Sequence, residues 1–297
     1  MTDITLLDGG MGQELVRRSG DIPTPLWSTQ VMQDHPGLVQ AIHADFFAAG
    51  ATIATANTYA LHRDRVADTE IEGQLPDLYA RALKEASTAR LQHGSGRIAG
   101  SIGPLGASYR PDLHPAPDEA VALFSEVADH LADGCDLILC ETVSSLAHAR
   151  DALAAAKTTG KPVWLAMTVD DQDGAHLRSG EAVADVLPIA ENGADALLIN
   201  CSSPEAITTA LDKIKHTALP FGAYANGFVQ ISEGFLEEKP TVDALTLRHD
   251  FTPEAYADHV MTWIDMGATI VGGCCEVSPT HIAEIARRLR AAGHTIV

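Results

Sequence analysis

The chain has 297 residues, of which 46% are hydrophobic and 20% are charged, values typical of a globular protein. Its 40 Asp and Glu residues outnumber its 20 Lys and Arg residues, which gives a formal net charge of −20. Because nucleic acids and anionic membranes bind basic surfaces, this charge argues against both as partners. The acidity would suit a cationic ligand, although solubility alone explains it equally well.

The N-terminal residues lack a basic segment followed by a long apolar run, and no apolar stretch approaches the ~18 residues of a membrane helix. We therefore expect a cytoplasmic location. The chain contains five cysteines, and an odd number in a reducing compartment favours free thiols or metal ligands over disulfides.

Four segments share one pattern, in which a helical stretch ends at a glycine and an apolar run follows that ends in polar residues. They begin at Gly50, Gly134, Gly193 and Gly267. We expect each glycine to end its helix in the left-handed conformation, and each apolar run to form a strand buried on both faces. The interval between one of these glycines and the next is about two β-α units long, so we expect a further strand before each of the four segments.

The resulting eight strands alternate with stretches that carry apolar residues at helical spacing. This alternation predicts an α/β protein with a single (β/α)8 barrel domain over residues 1–297, and a doubly wound open sheet is the alternative. The segment at about 228–250 is longer than an ordinary loop, and we expect it to be an insertion over one face of the barrel. The predicted strand segments are 4–8, 50–57, 98–103, 134–141, 163–168, 193–201, 221–226 and 267–275.

In such a barrel the active site lies at the C-terminal ends of the strands, and three of the five cysteines are placed there. Cys201 ends the sixth strand, whereas Cys274 and Cys275 end the eighth. Thiolates are strong zinc ligands, and three protein ligands leave a fourth tetrahedral position open. Adjacent side chains of a strand point to opposite faces, so sharing an ion requires a turn, which Gly272 and Gly273 would permit. Alternatively, the cysteines are ordinary buried residues.

Other polar residues also lie at predicted strand ends. The glycines after Asp8 would let backbone N–H groups approach an anion such as a substrate carboxylate, or would form a plain tight turn. Glu141 could bind a cationic amine or serve as a hydrogen-bonded rim residue. The candidate substrate-binding residues at these ends are Asp8, Gly9, Gly10, Asn57, Glu141, Thr142 and Asn226.

Several motifs together resemble the homocysteine S-methyltransferase family, over about residues 3–292. The combination of the Asn200-Cys and Gly272-Gly-Cys-Cys motifs is specific to this family. The resemblance implies a zinc-dependent (β/α)8 barrel that transfers a methyl group to the sulfur of homocysteine and forms methionine. The motifs are Asp8-Gly-Gly-Met-Gly, Pro25-Leu-Trp-Ser, Gly100-Ser-Ile-Gly-Pro-Leu-Gly, Glu141-Thr, Asn200-Cys and Gly272-Gly-Cys-Cys.

The resemblance also assigns roles to particular residues. It implies that zinc is bound by Cys201, Cys274 and Cys275. It implies further that the amino-acid end of homocysteine is held by Asp8, Gly9 and Glu141, with Asp8 and Glu141 as the catalytic carboxylates. The chemistry needs no general base, because zinc would bind homocysteine as a thiolate, which is the nucleophilic form.

The methyl donor follows less directly from the resemblance. Trp27 and Tyr59 match aromatic positions of betaine-using relatives, and aromatic faces attract sulfonium and ammonium groups. Those relatives have an aromatic residue in place of Thr142 and a C-terminal extension, so the chain length favours S-methylmethionine or S-adenosylmethionine as donor. In some relatives an asparagine fills the open zinc position until substrate arrives, which makes Asn226 a candidate for that role.

Three alternative functions remain open at this stage. The donor could be betaine or dimethylsulfoniopropionate, or the chain could bind zinc and a thiol amino acid without turnover. It could also be one subunit of a corrinoid-dependent methyltransferase. The predicted partners are small molecules, namely homocysteine and a cationic methyl donor. The oligomeric state stays open, with a monomer as one option.

Overall fold

Parallel strands alternate with helices along the chain in the computed structural model, which describes residues 2–21, 27–231, 236 and 245–297. Of Trp27 only the backbone is described. The strands are β1 (Asp3–Leu6), β2 (Ile53–Thr55), β3 (Arg97–Ile102), β4 (Leu137–Val143), β5 (Val163–Met167), β6 (Ala196–Asn200), β7 (Phe221–Ala225), β8 (Ile270–Gly273) and β9 (Thr295–Ile296).

The α-helices fill the intervals between the strands, and the longest, α5, has 19 residues. No helix among the described residues is both long and apolar enough to cross a membrane. The helices are α1 (Met11–Ser19), α2 (Trp27–Asp34), α3 (Leu38–Ala49), α4 (Arg63–Val66), α5 (Leu75–His93), α6 (Pro117–Leu131), α7 (Leu146–Ala156), α8 (Leu187–Gly193), α9 (Pro204–Ile214), α10 (Pro253–Asp265) and α11 (Pro279–Ala291).

The strands form one sheet that closes into a barrel. Its order is β2-β3-β4-β5-β6-β7-β8-β1-β9, and every pair is parallel. Strand β1 reaches β2 through a bridge between Leu7 and Ile53, where the Thr52 amide donates to the Leu6 carbonyl at 2.7 Å. The predicted (β/α)8 barrel is therefore confirmed, and the open-sheet alternative is wrong. A short ninth strand, β9, was not predicted and pairs with the first half of β1.

Two apolar layers bury the strands on both faces. Residues of β4 to β8 are buried at every position, as predicted. The larger layer lies between the strands and the helices and includes Leu6, Phe46 and Phe124. The inner layer is built from alternate residues of successive strands, because side chains of a strand point to opposite faces at a period of two. It includes Leu7, Ile53, Ala99, Leu137, Leu139, Trp164, Ala166, Ala196, Leu198, Tyr224 and Ile270.

The four glycines of the recurring pattern have two different physical roles. Gly50 and Gly267 adopt the left-handed conformation, with φ of 112° and 105°, as predicted. Gly134 and Gly193 do not, so the prediction is wrong there. A Cβ on Gly134 would lie only 2.6 Å from Cδ1 of Leu83. A Cβ on Gly193 would lie 3.1 Å from Cδ1 of Leu153. These two glycines therefore make room for neighbouring side chains.

The two ends of the predicted insertion at 228–250 pair with each other. Phe228 and Leu247 form an antiparallel bridge, and the Val229 amide donates to the Thr246 carbonyl at 2.9 Å. Residues 232–235 and 237–244 of this segment lie outside the described residues. The insertion as a whole, and the single domain over residues 1–297, therefore stay predictions.

Candidate metal and substrate site

The three cysteines at the strand ends come together at one mouth of the barrel, where β6 and β8 end. The Sγ atom of Cys201 lies 2.8 Å from that of Cys274 and 3.8 Å from that of Cys275. The Sγ atoms of Cys274 and Cys275 are 3.9 Å apart. All three atoms lie within 4.8 Å of one another, close enough to share a metal ion. The predicted convergence of the cysteines is confirmed.

A turn directly after β8 brings the two adjacent cysteines to the same place. The Val277 amide donates to the Cys274 carbonyl at 3.2 Å, and Glu276 within this turn has φ of 66°. Gly272 and Gly273 lie in β8 directly before the turn, and Gly273 permits the turn because it has no side chain. A Cβ on Gly273 would lie 2.0 Å from Cγ1 of Val277, so a larger residue would block this turn.

Four non-glycine residues at this mouth adopt the left-handed conformation, namely Thr142, Cys201, Glu276 and Tyr109, with φ of 58°, 48°, 66° and 63°. This conformation is unfavourable for residues with a Cβ, and most of all for a β-branched threonine. Hydrogen bonds hold the first two in place. Thr142 donates its amide to Asn200 Oδ1 at 3.0 Å, and the Cys201 amide donates to the Tyr224 carbonyl at 3.0 Å. Strain that the surroundings maintain in this way is typical of functional sites.

Hydrogen-bond donors surround the Cys201 sulfur. The thiols of Cys274 and Cys275, followed by the Tyr109 hydroxyl at 3.0 Å and Asn226 Nδ2 at 4.0 Å, hold the pKa of Cys201 well below its ordinary value. The same shared protons raise the pKa of Cys274 and of Cys275. The cluster therefore favours its first thiolate on Cys201, which is also the most buried of the three.

Two buried carboxylates lie at the same end of the barrel. Asp8 accepts hydrogen bonds from the amide and the hydroxyl of Thr55, at 2.7 Å and 2.8 Å. Glu141 accepts from the Ser101 hydroxyl and, at 3.0 Å, from the Tyr224 hydroxyl. Burial raises the pKa of each carboxyl to about 7, and the charge of Glu141 also raises that of Asp8. A cation bound nearby would favour the ionised forms.

The glycines after Asp8 pack against the turn that carries the cysteines. The Gly10 amide donates to the Val277 carbonyl at 2.8 Å, and a Cβ on Gly9 would lie 2.2 Å from that oxygen. A Cβ on Gly10 would lie 2.9 Å from the Cys274 carbonyl oxygen. For Gly10 the geometry therefore favours close packing of the two loops over an N–H group that faces a substrate anion.

The remaining predicted residues lie around this mouth. Asn57 follows β2 and is buried, and its Nδ2 donates to a main-chain carbonyl of α2 at 3.3 Å. The Tyr59 hydroxyl lies 2.7 Å from Ser108 Oγ, and the Arg65 guanidinium lies 5.5 Å from the ring centroid of Tyr59. One face of this ring therefore already contacts a cation of the protein. Trp27 begins α2, and its side chain lies outside the described residues.

Several residues that contact the site were not predicted from the sequence. They are Tyr109, which contacts a cysteine, and Ser101, Tyr224 and Thr55, which contact the carboxylates. A signal exists for Tyr224, because it lies two positions before Asn226 and the residues of a strand at this spacing share a face. Tyr109 lies in the loop after β3, where no such periodicity applies.

Comparison with known proteins identifies the family of this chain. The sequence profile described as homocysteine S-methyltransferase matches residues 5–289. The chain belongs to the homocysteine S-methyltransferase family. The homocysteine S-methyltransferase of Escherichia coli (strain K12) is 30% identical over 306 residues, which cover 96% of this chain and 95% of the relative. The homocysteine S-methyltransferase YbgG of Bacillus subtilis (strain 168) is 28% identical, and the alignment covers 97% of this chain and 95% of the relative.

A solved structure of this family has the same fold. The homocysteine methyltransferase MmuM from Escherichia coli, in its metallated form, aligns with a TM-score of 0.79 at 28% identity. The alignment covers 97% of this chain and 96% of that chain. The resemblance to homocysteine S-methyltransferases that the motifs predict is therefore confirmed over almost the whole length.

Proposed function

We propose that this protein is a zinc-dependent methyltransferase that transfers a methyl group from S-methylmethionine or S-adenosylmethionine to the sulfur of homocysteine. The observation that carries the proposal is the convergence of Cys201, Cys274 and Cys275 at the mouth of a barrel of this family. The names of the Escherichia coli and Bacillus subtilis relatives support homocysteine as the acceptor. Homocysteine and the donor are the proposed partners, and the proposed location is the cytoplasm.

The cysteines fit zinc by their chemistry and their spacing. In a tetrahedral site with Zn–S bonds of about 2.3 Å, the sulfurs are about 3.8 Å apart. Two of the three separations, 3.8 Å and 3.9 Å, match this value, and the separation of Cys201 and Cys274 is shorter, at 2.8 Å. Three cysteine ligands with one open position are the arrangement of a catalytic zinc. Cys274 and Cys275 are partly exposed, which leaves this side accessible to a small molecule.

Bound zinc would supply a Lewis acid that lowers the pKa of the homocysteine thiol. Glu141, whose pKa lies near 7 in the ligand-free protein, would be ionised by the ammonium group of the substrate and hold that group. Asp8 would add a second negative charge once the same cation favours its ionised form, and its two bonds from Thr55 fix its position. The methyl group then moves to the homocysteine sulfur while its former bonding pair stays with the donor, which leaves as a neutral thioether.

Asn226 is the proposed occupant of the open metal position before substrate arrives. Its Nδ2 lies 4.0 Å from the Cys201 sulfur, and its Oδ1 accepts a hydrogen bond from the Phe228 amide at 3.1 Å. To bind the metal, the Asn226 oxygen would have to release that bond. A substrate-free structure in which water and the three cysteines alone bind zinc would contradict this role.

Replacement of one ligand tests the metal site. We expect Cys274→Ser to lose bound zinc and methionine formation together, because a serine hydroxyl is a poor substitute for a thiolate ligand. Zinc content is measured by elemental analysis of the purified protein, and methionine by chromatography. Cys135→Ser is the matched control, since Cys135 is a buried cysteine outside the cluster and its replacement should retain zinc. Full activity of Cys274→Ser would contradict the proposal.

A panel of donors tests the reaction itself. We expect methionine from homocysteine with S-methylmethionine or S-adenosylmethionine, and none with betaine. If methionine formed only with betaine or dimethylsulfoniopropionate, the proposed identity of the donor would be wrong. If no donor gave methionine although the protein bound zinc and homocysteine stoichiometrically, a non-catalytic binding protein would be favoured. Activity only with a methylcorrinoid protein would favour the corrinoid-dependent alternative.

A further inference from the structure

We propose that Tyr109 is a positioning residue that protects Cys201 from methylation, so that the substrate sulfur alone receives the methyl group. This inference rests on the proposed function, because the hazard arises only where cysteine thiolates face a methyl donor. In any such attack the methyl–sulfonium bond breaks, its electron pair stays on the donor sulfur, and a sulfur lone pair forms the new bond to carbon. Attack by Cys201 would convert a metal-binding thiolate into a thioether and inactivate the protein.

A hydrogen bond links the Tyr109 hydroxyl to the sulfur of Cys201, the atom that methylation would inactivate. The Tyr109 hydroxyl lies 3.0 Å from Cys201 Sγ, and the two residues are only 6% and 3% exposed. A thiolate has no proton to donate, so the phenol donates when Cys201 is ionised. A hydrogen bond to an anion is stronger than one between neutral groups. The bond withdraws electron density from the anionic sulfur and therefore lowers the nucleophilicity of Cys201.

Arg178 holds the ring of Tyr109 in place. Its guanidinium carbon lies 5.2 Å from the ring centroid, within the range of a cation–π contact. Arg178 is fixed in turn by Asp171 at 2.9 Å and by Thr168 Oγ1 at 3.3 Å. Thr168 Oγ1 also donates to the main-chain carbonyl of Cys201 at 3.3 Å. The phenol ring and the backbone of Cys201 are therefore held by the same group of residues.

Two features of Tyr109 point beyond simple packing. Its φ of 63° is uncommon for a residue with a large side chain and indicates a position that its surroundings maintain. Its ring lies in an apolar cluster with Cys201, Phe228 and Leu245. The hydroxyl is the additional group, and it lies against the sulfur of Cys201.

The decisive variant is Tyr109→Phe, which keeps the ring and its contact with Arg178 and removes the hydroxyl. Zinc-loaded protein is treated with iodomethane, a small electrophile that needs no donor pocket and whose iodide leaves with the electron pair. Peptide mass spectrometry then locates the methylated cysteines. We expect methylation of Cys201, relative to Cys274 and Cys275 in the same molecules, to be at least about tenfold faster in the variant, the order of factor that a hydrogen bond to an ion provides.

Two controls separate this effect from a general disturbance. Methylation of Cys274 and Cys275 reports any opening of the whole site, because these residues belong to the same cluster. Tyr79→Phe removes another buried hydroxyl, which donates to the Leu61 carbonyl, and should leave the methylation pattern unchanged. An unchanged ratio in Tyr109→Phe would overturn the proposal. Loss of zinc from Tyr109→Phe would also overturn it, since the hydroxyl would then serve metal retention.

Cobalt-substituted protein gives a spectroscopic readout that is independent of turnover. A thiolate without its hydrogen bond is a stronger electron donor, so the thiolate-to-cobalt charge-transfer band should move to lower energy in Tyr109→Phe and stay in place in Tyr79→Phe. An unmoved band in Tyr109→Phe would overturn the proposal, because a purely structural role of the ring predicts no change.

A final experiment distinguishes failure of the proposed methyltransferase function from failure of the proposed role of Tyr109. In this experiment S-methylmethionine and homocysteine replace iodomethane. We expect Tyr109→Phe to lose activity during turnover as Cys201 becomes methylated. If S-methylmethionine and the other donors react with neither protein while iodomethane gives the expected ratio, the proposed function fails, although the Tyr109 hydroxyl still lowers the reactivity of Cys201. If both proteins form methionine and Cys201 stays unmodified in both, the role of Tyr109 alone fails.

Discussion

Glu141 and Asp8 are carboxylic acids whose protonation is set by burial. The pKa of Glu141 is raised from 4.5 to about 7, mainly because burial disfavours the charged form, although Ser101 and Tyr224 donate to it. Between about pH 4.5 and 7, the unfolded chain has released a proton that the folded protein still holds. The free energy of unfolding therefore falls as the pH rises through this window, and stays lowered above it. Glu141 thus destabilises the ligand-free protein at the pH at which its charge would bind a substrate amine.

Replacing this charge should stabilise the ligand-free protein. We expect the free energy of unfolding of Glu141→Gln to exceed that of the wild type by roughly 1–3 kcal/mol at pH 8, and the two to be nearly equal at pH 5. Urea denaturation at both pH values measures the difference, and methionine formation should fall in the same variant. The exposed Glu70→Gln is the control and should change neither value. A variant less stable than the wild type at pH 8 would contradict this account.

At the scale of elements, the end of β8 shows how a glycine can determine where a metal ligand lies. The strand runs straight to Gly273, and the turn that follows folds Val277 back over it. This leaves room for hydrogen alone at position 273. The same turn carries Cys274 and Cys275 and receives the Gly10 amide from the loop after β1. The packing of three segments therefore sets the position of the two sulfurs.

The substitution Gly273→Ala tests this packing. Its Cβ would lie 2.0 Å from Cγ1 of Val277, so the turn has to move. We expect a loss of roughly 1–3 kcal/mol in the free energy of unfolding, as for other overpacked sites, together with weaker zinc binding. Urea denaturation and competition with a chromogenic chelator measure the two effects. Gly73→Ala is the control, because nothing lies within 4 Å of its added Cβ. Unchanged zinc affinity in Gly273→Ala would show that the turn does not position the ligands.

At the scale of the whole molecule, the net charge of −20 opposes the compact state. The described surface contains ion pairs, such as Arg248 with Glu205 and with Asp250, at 2.6 Å and 3.0 Å. Exposed pairs of this kind contribute little individually. Forty acidic residues against twenty basic ones leave an excess of like charges that such pairs do not neutralise. Repulsion among these charges is therefore expected to exceed the contribution of the pairs.

Salt should stabilise this protein at neutral pH. Raising sodium chloride from about 20 mM to about 500 mM should increase Tm by roughly 1–3 °C, because screening weakens the repulsion between acidic groups. Differential scanning calorimetry measures the shift. Near pH 4.8, the isoelectric point of the sequence, the net charge vanishes and the increase should disappear. A Tm that falls with salt at neutral pH would show that the ion pairs outweigh the repulsion.

Patterns in the sequence were sufficient to predict the barrel, the convergence of three cysteines at its mouth and the family. Strands and helices have short periods that a linear pattern records, and parallel strands of a closed barrel all end at the same mouth. Knowing that Cys201, Cys274 and Cys275 end two of the strands is therefore enough to place them at the same mouth, whereas the turn after β8 sets the distances between the sulfurs. The same period of two carries the signal for Tyr224, two positions before Asn226.

The contacts of each of these residues depend on the folded structure and could not be predicted from the sequence. The pattern around Gly50 and Gly134 is alike in the sequence, yet the first glycine has a left-handed conformation and the second makes room for Leu83. Tyr109 and Arg178 lie on loops after two different strands and meet beside Cys201. Loop residues have no repeating geometry, so their contacts depend on how distant segments pack, and a linear pattern does not record that packing.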